Sequence, residues 1–217
     1  MTFRRFGGDR GQAFPIYVVL VAGLLFAALA YFTIGKAAIV RSNAQGAADA
    51  AALAAAREAR DTLMPGMDLA TLTPEEWEQV LLGNRFGASS GACAAARDFA
   101  GMNDATIECS PSGTRFTVRS TTNGTVGDSV VPGTSGKRGE ADATAEIVPR
   151  CHVKAGESGS DGGSAPMPAP PGPIKFSCAK GVVVDYDPAQ PRVWRSLAAA
   201  LFDIRLIDDR ETRKPST

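Results

Sequence analysis

The chain has 217 residues, with 23 Lys or Arg, 23 Asp or Glu and a single His, so its formal net charge is zero. That balance provides no basic field for nucleic acid, and one histidine, His152, leaves little for general acid–base catalysis. The sequence asks for no cofactor, no metal and no small-molecule substrate, and it carries no internal repeat.

Residues 13–34 form an uncharged run of about twenty apolar residues, the length that crosses a bilayer as a helix. Pro15 falls in its first turn, where a missing N–H does little harm. Gly23 and Gly35 are ordinary in a membrane helix. Arg4, Arg5 and Arg10 precede the run, Asp9 is the only acid there, and Lys36 and Arg41 follow it. This bias predicts a cytoplasmic N-terminus over 1–12, a single span over 13–34 and a chain that is otherwise extracytoplasmic. Ala28-Leu29-Ala30 also fits a signal-cleavage site, which would release a secreted protein starting at Tyr31. The apolar run continues through Tyr31, Phe32 and Ile34, however, past the roughly 7–15 residues of a signal core. A retained signal-anchor is therefore the expectation.

The next stretch, 35–64, is Ala-rich and reads as the same helix continuing into water. From Pro15 to Leu63 it would measure roughly 70 Å, well beyond the membrane, and Pro65-Gly66 would end it. Arg41, Gln45, Asp49, Arg57 and Asp61 recur at four-residue steps, interrupted by Leu53, and mark a polar stripe. Ala44, Ala48, Ala51, Ala55 and Ala59 form a small-residue face beside it. Small residues let backbones approach closely. The face suits packing against neighbouring subunits or covering the chain's own sheet, and both readings stay open.

Arg10-Gly11-Gln12-Ala13-Phe14, followed at once by the apolar run, resembles the start of TadE- and TadG-like proteins of the Tad (Flp) pilus system. The segment Asn43-Ala44-Gln45-Gly46-Ala47-Ala48-Asp49-Ala50-Ala51-Ala52-Leu53-Ala54 is similar to the Ala/Asp-rich signature past that family's membrane helix. Further on, Cys93-Ala94-Ala95-Ala96-Arg97-Asp98-Phe99-Ala100 leads into Asn103-Asp104-Ala105 and Ile107-Glu108-Cys109. This resembles the helix–Asn–strand unit of the actinobacterial TadE-like branch. The resemblance implies a membrane-anchored, non-enzymatic pilus-assembly or secretion subunit, pseudopilin-like, at the cell surface. Its partners would be the membrane and other pilin-like or Tad assembly subunits, met through the first helix. Processing by a prepilin peptidase would fall at Gly11 and Gln12. The family's prepilins carry glutamate five residues after the glycine, where this chain has Ile16, so the TadG-like, anchored form fits better. A single-anchor binding domain unrelated to pili is the competing reading.

The soluble part reads as α+β: a small, disulfide-braced, pilin-like domain with a mainly antiparallel sheet, over 65–150 and continuing over 179–217. Thr73-Pro74-Glu75-Glu76 is a capping-box helix start, and that helix carries Trp77, Val80 and Leu81 and stops near Gly83. A second helix is predicted over 90–100, stopped by Gly101. A strand follows over 106–109, a turn at Ser110-Pro111-Ser112-Gly113, and a strand over 114–121, where Phe116 and Val118 alternate with polar residues. Residues 123–139 read as a loop. Residues 141–148 alternate again, and their alanines suit a strand on which the first helix lies. Residues 155–173, rich in Gly, Ser and Pro, read as a flexible loop within a 151–178 segment flanked by cysteines. Strands over 174–177 and 181–186, a helix opened by Pro191 and carrying Val193, Trp194, Leu197 and Leu201, a strand over 204–207 and a polar tail complete the chain.

Cys93, Cys109, Cys151 and Cys178 allow three connectivities. The expected pairs are Cys93–Cys109 and Cys151–Cys178, the first pinning the second helix to its following strand and the second closing the Gly/Pro-rich loop. Zinc is disfavoured because no C-x-x-C exists and Cys151 and His152 are adjacent. Asp185-Tyr186-Asp187 reads as a solvated turn, and Asn123-Gly124-Thr125 as turn chemistry that happens to fit a glycosylation sequon.

Overall fold

The computed structural model describes residues 13–62, 69–84, 86, 91–127, 133–154, 174–187 and 194–208. The first helix, α1 (Ala13–Asp61), runs unbroken for 49 residues, about 73 Å at 1.5 Å per residue. The expected end at Leu63 and Pro65-Gly66 lies outside the described residues. Next come α2 (Pro74–Leu81), α3 (Ala92–Met102), β1 (Ala105–Ser112), β2 (Arg115–Thr125), β3 (Arg138–Pro149), β4 (Cys151–Val153), β5 (Ile174–Cys178), β6 (Val183–Tyr186), α4 (Trp194–Leu201) and β7 (Phe202–Ile207).

Two antiparallel sheets carry the domain. The larger has the order β1-β2-β3-β7 and the smaller β4-β5-β6. Period-two alternation decides which face of the larger sheet is covered. In β2, Phe116, Val118, Ser120 and Thr122 are buried, and in β3, Gly139, Ala143, Ala145 and Ile147. This face lies under the C-terminal half of α1, with α3 packed beside the helix. Gly139 shows why the chain is small here: a methyl group added at this position would overlap the Val40 carbonyl of α1. Ser120, fully buried, satisfies its hydroxyl by donating to the Ala44 carbonyl at 2.7 Å.

The other face of the sheet is polar and cross-linked. Arg119 pairs with Asp142 at 2.8 Å, and the Thr117 and Thr144 hydroxyls lie 3.0 Å apart. Glu146 accepts from Arg115 at 2.9 Å on β2 and from Arg205 at 3.1 Å on β7, so one carboxylate ties three strands. Burial by itself raises the Glu146 carboxyl, but the two guanidinium bonds and charges outweigh it and hold the group below its ordinary value. A depressed carboxylate stabilises the fold above its unfolded pKa, about 4.3, and that stability is lost as pH falls through the folded value. Glu146→Gln is therefore expected to cost about 0.5–1 kcal/mol at pH 7. Urea titrations should show the gap between variant and parent closing below about pH 4.

The small sheet sits at the far end of the domain. Trp77 of α2, fully buried, meets Phe176 edge-on at 5.2 Å and Tyr186 at 5.5 Å. α4 returns to the end of α1, where Trp194 Nε1 donates to the Arg60 carbonyl at 2.9 Å, one of the carbonyls a helix end leaves unpaired.

Several boundaries differ from the sequence-based ones for physical reasons. α3 passes through Gly101, ends at Met102 and is capped by Asn103, whose side chain donates to the Phe99 carbonyl at 2.8 Å. Residues 110–112, expected to turn, are the end of β1 and pair with Thr117, Phe116 and Arg115; the turn is at Gly113-Thr114. β1 is an edge strand, which tolerates Pro111. Residues 123–125 and 138–139 belong to β2 and β3 instead of a loop. Residues 179–181 form a single 3-10 turn ahead of β6. β4 has no counterpart in the sequence reading. The stretch 155–173 and the residues 191–193 lie outside the described residues.

Candidate functional site

α1 has two halves of different surface. Between residues 14 and 35 there is no charged side chain, and large apolar side chains there stand open, among them Phe14, Tyr17, Leu24, Phe26 and Tyr31. None of the most apolar stretch is covered by the rest of the chain. In water such a surface would cost roughly 1.5–3 kcal/mol for each large side chain left uncovered, whereas in lipid it costs nothing. Lys36 closes the segment, its ammonium 5.3 Å from the Phe32 ring centroid. The charge lies over the aromatic face, a cation–π contact one turn back along the helix.

From Ala44 onward the helix is covered. Ala44, Ala48, Ala51 and Ala55 are fully buried and Ala59 is nearly so. The structure sets this face against the chain's own β2, β3 and α3, so it is not presented to a neighbouring subunit. The polar stripe runs alongside it. Gln45 donates to Asp49 at 2.8 Å, Arg41 and Arg57 are exposed, and Asp61 pairs with Arg60 at 2.8 Å and Arg195 at 3.4 Å. Beside Gln45 and Asp49 a groove of about 480 Å³ opens over Asp142, Leu206 and Asp208. It lies where β7 stops, since β7 pairs with β3 only over residues 144–149. No local pattern announces it, because its walls come from three elements far apart in the chain.

The four cysteines form Cys93–Cys109, joining α3 to β1, and Cys151–Cys178, joining β4 to β5 at directly opposed positions. No cysteine is left free, so His152, exposed on β4, has no thiol to activate. Asn123 donates to Asp104 at 3.1 Å across the β2–β1 end. Among the described residues no group of three or more Cys, His, Asp or Glu is placed to hold a metal ion. Gly11 and Gln12 lie outside the described residues.

The arrangement defines a class: a single long helix, bare and apolar in its first half, whose second half is the central core element of a disulfide-braced α+β domain. The sequence model of the Tad family, Flp pilus-assembly TadE/G-like, matches residues 11–58. The matched stretch, similar to that family's domain, covers α1 almost to its end. The match supports a role connected with pilus assembly, in a family of structural and assembly components, not of enzymes. No curated protein and no solved structure matches the chain.

Proposed function

We propose that this protein is a single-pass, membrane-anchored subunit of a Tad/Flp pilus or a related secretion assembly, pseudopilin-like and structural in role. Its N-terminus faces the cytoplasm and its disulfide-braced domain faces the exterior. The observation that carries this reading is the abrupt change of surface along one unbroken helix, whose large apolar side chains from Phe14 to Ile39 stand exposed and which is covered from Ala44. The TadE/G-like match supports the pilus context. The basic residues ahead of the apolar run support the orientation, and two disulfides suit an oxidising compartment. Neighbouring subunits would be met through the bare half of α1 within the bilayer, because the alanine face is already occupied.

Alkaline carbonate extraction tests the anchor. The parent chain is expected in the membrane pellet. Leu24→Arg combined with Leu25→Arg places two charges at mid-bilayer, at about 2.5–3.5 kcal/mol each, and should move most of the protein to the supernatant. N-terminal sequencing separates the remaining cases: a start at Met1 or Thr2 fits an uncleaved anchor, Gln12 a processed prepilin. A start at Tyr31, or a parent chain freed by carbonate, overturns the proposal.

A further inference from the structure

The domain has one end turned toward the apolar segment. β2 passes Ala44 at Ser120, and a cavity of about 130 Å³ brings Thr122, Gly124 and Thr125 of β2 against Val40 and Asn43 of α1 and Asn103 and Asp104 at the α3–β1 junction. β2 therefore descends antiparallel to α1, toward the helix N-terminus. The hairpin continues past its strands: Val126 N–H donates to the Lys137 carbonyl at 2.9 Å and Gly127 N–H to the Ser135 carbonyl at 3.2 Å. Those residues add roughly 7 Å of ladder in the same direction.

Apolar and basic side chains are exposed together at this end, with the acids Asp104 and Glu140 beside them. Met102, at the tip of α3, is 77% exposed and Ile39 of α1 is 60% exposed. Lys137 and Arg138 on the hairpin and Arg41 on α1 are exposed too, and the Lys36 ammonium lies over the Phe32 ring. Val40 stands six residues beyond Ile34, about 9 Å along the helix. The headgroup layer outside the hydrocarbon core is about 5–7 Å thick on each side. The hairpin closes the difference. Apolar side chains accompanied by Lys and Arg at this height match the membrane–water interface.

We propose that this end of the domain rests on anionic phospholipid headgroups, with Met102 and Ile39 entering the interface and Lys36, Arg41, Lys137 and Arg138 meeting the phosphates. The surface is continuous with the membrane-crossing helix, and the inference rests on the anchor reading above. It makes the domain a foot planted on the bilayer instead of a body free to swing on its stalk.

The test uses the full chain in nanodiscs of phosphatidylglycerol brominated near the headgroup end of its acyl chains. Trp77 is buried beneath the small sheet, and Trp194 binds the end of α1 at Arg60, about 30 Å up the helix from Val40. Neither native tryptophan is near the bromines. Met102→Trp is expected to be quenched at least twofold more strongly than Val182→Trp, whose exposed position lies in the β5–β6 connection at the far end. Adding Lys137→Glu and Arg138→Glu to Met102→Trp should remove at least half of that excess. Equal quenching at positions 102 and 182 in incorporated protein overturns this inference alone. Undiminished quenching in the glutamate variant overturns the cationic contacts. Failure of the parent chain to incorporate overturns the anchor reading and this inference with it.

Discussion

Ala51→Leu is expected to destabilise the full chain in detergent by about 1–3 kcal/mol, the cost of forcing methylenes into a packed core. Ala51 has no exposed surface and lies on the face of α1 that covers β2, β3 and α3. The sheet beneath answers with small side chains of its own, Ala143 and Ala145. A gap set by alanine on both sides has no room for an isobutyl group unless helix and sheet separate. Separation would loosen the Ser120 bond to the Ala44 carbonyl and the close seat of Gly139 under Val40. Thermal melts followed by circular dichroism should show a fall of about 5–15 °C. Arg57→Leu, on the exposed side of the same helix, should shift stability by less than about 0.5 kcal/mol. If the two variants melt alike, the alanine face does not pack on the sheet.

The same geometry decides how an assembly experiment must be read. Bulky replacements at Ala48 and Ala51 would abolish association with pilus components whether or not these residues ever touch a partner, because both are core residues of the subunit. Probes of subunit contact belong on the bare half of α1, where substitutions between apolar residues leave the domain untouched. Ile16, Leu20 and Leu24, exposed and one turn apart, form one such strip.

What the sequence revealed about the fold was mostly local or strongly periodic. The capping box of α2 needs only Thr73 and Glu76, and both of its bonds form. Alternation over β2 and β3 follows from one covered face, and α1 from its unbroken run of apolar and alanine residues. The misplaced boundaries depended on partners that a single segment does not display. Pro111 reads as a turn until β1 is known to lie at the sheet edge. Gly101 reads as a helix stop until Asn103 is seen to bond back to Phe99. β4 has three residues, too few to display a period, and its pairing with β5 includes Cys151 opposite Cys178. The choice between a partner-facing and a sheet-facing alanine stripe was undecidable from helix periodicity, since both predict the same spacing. Gly139 held the clue: a glycine opening an alanine-rich strand marks a place where another backbone comes very close.

Removing both disulfides is expected to leave the soluble domain largely unfolded at 37 °C. In the chain-entropy account, the 16-residue separation of Cys93–Cys109 is worth about 3 kcal/mol, and the 27-residue separation of Cys151–Cys178 about 3.5 kcal/mol. Together they approach the whole stability of an ordinary domain, about 5–15 kcal/mol. The two losses should differ by more than loop length alone implies. Cys93 and Cys109 are half-buried, whereas Cys151 is buried within the core that also holds Phe176, Ile147 and Leu201. Cys151→Ala with Cys178→Ala thus removes a covalent link and leaves a void beneath β4, a strand too short to hold its place through its ladder. Cys93→Ala with Cys109→Ala frees α3 from β1, but α3 keeps its packing against α1 through Ala92, Ala96 and Ala100. Urea midpoints of the two double variants should fall in that order, the Cys151/Cys178 pair losing more, with the quadruple variant lacking a cooperative transition. A parent chain whose midpoint is unmoved by reductant, with thiol release verified by mass, would mean that apolar packing alone holds the domain together.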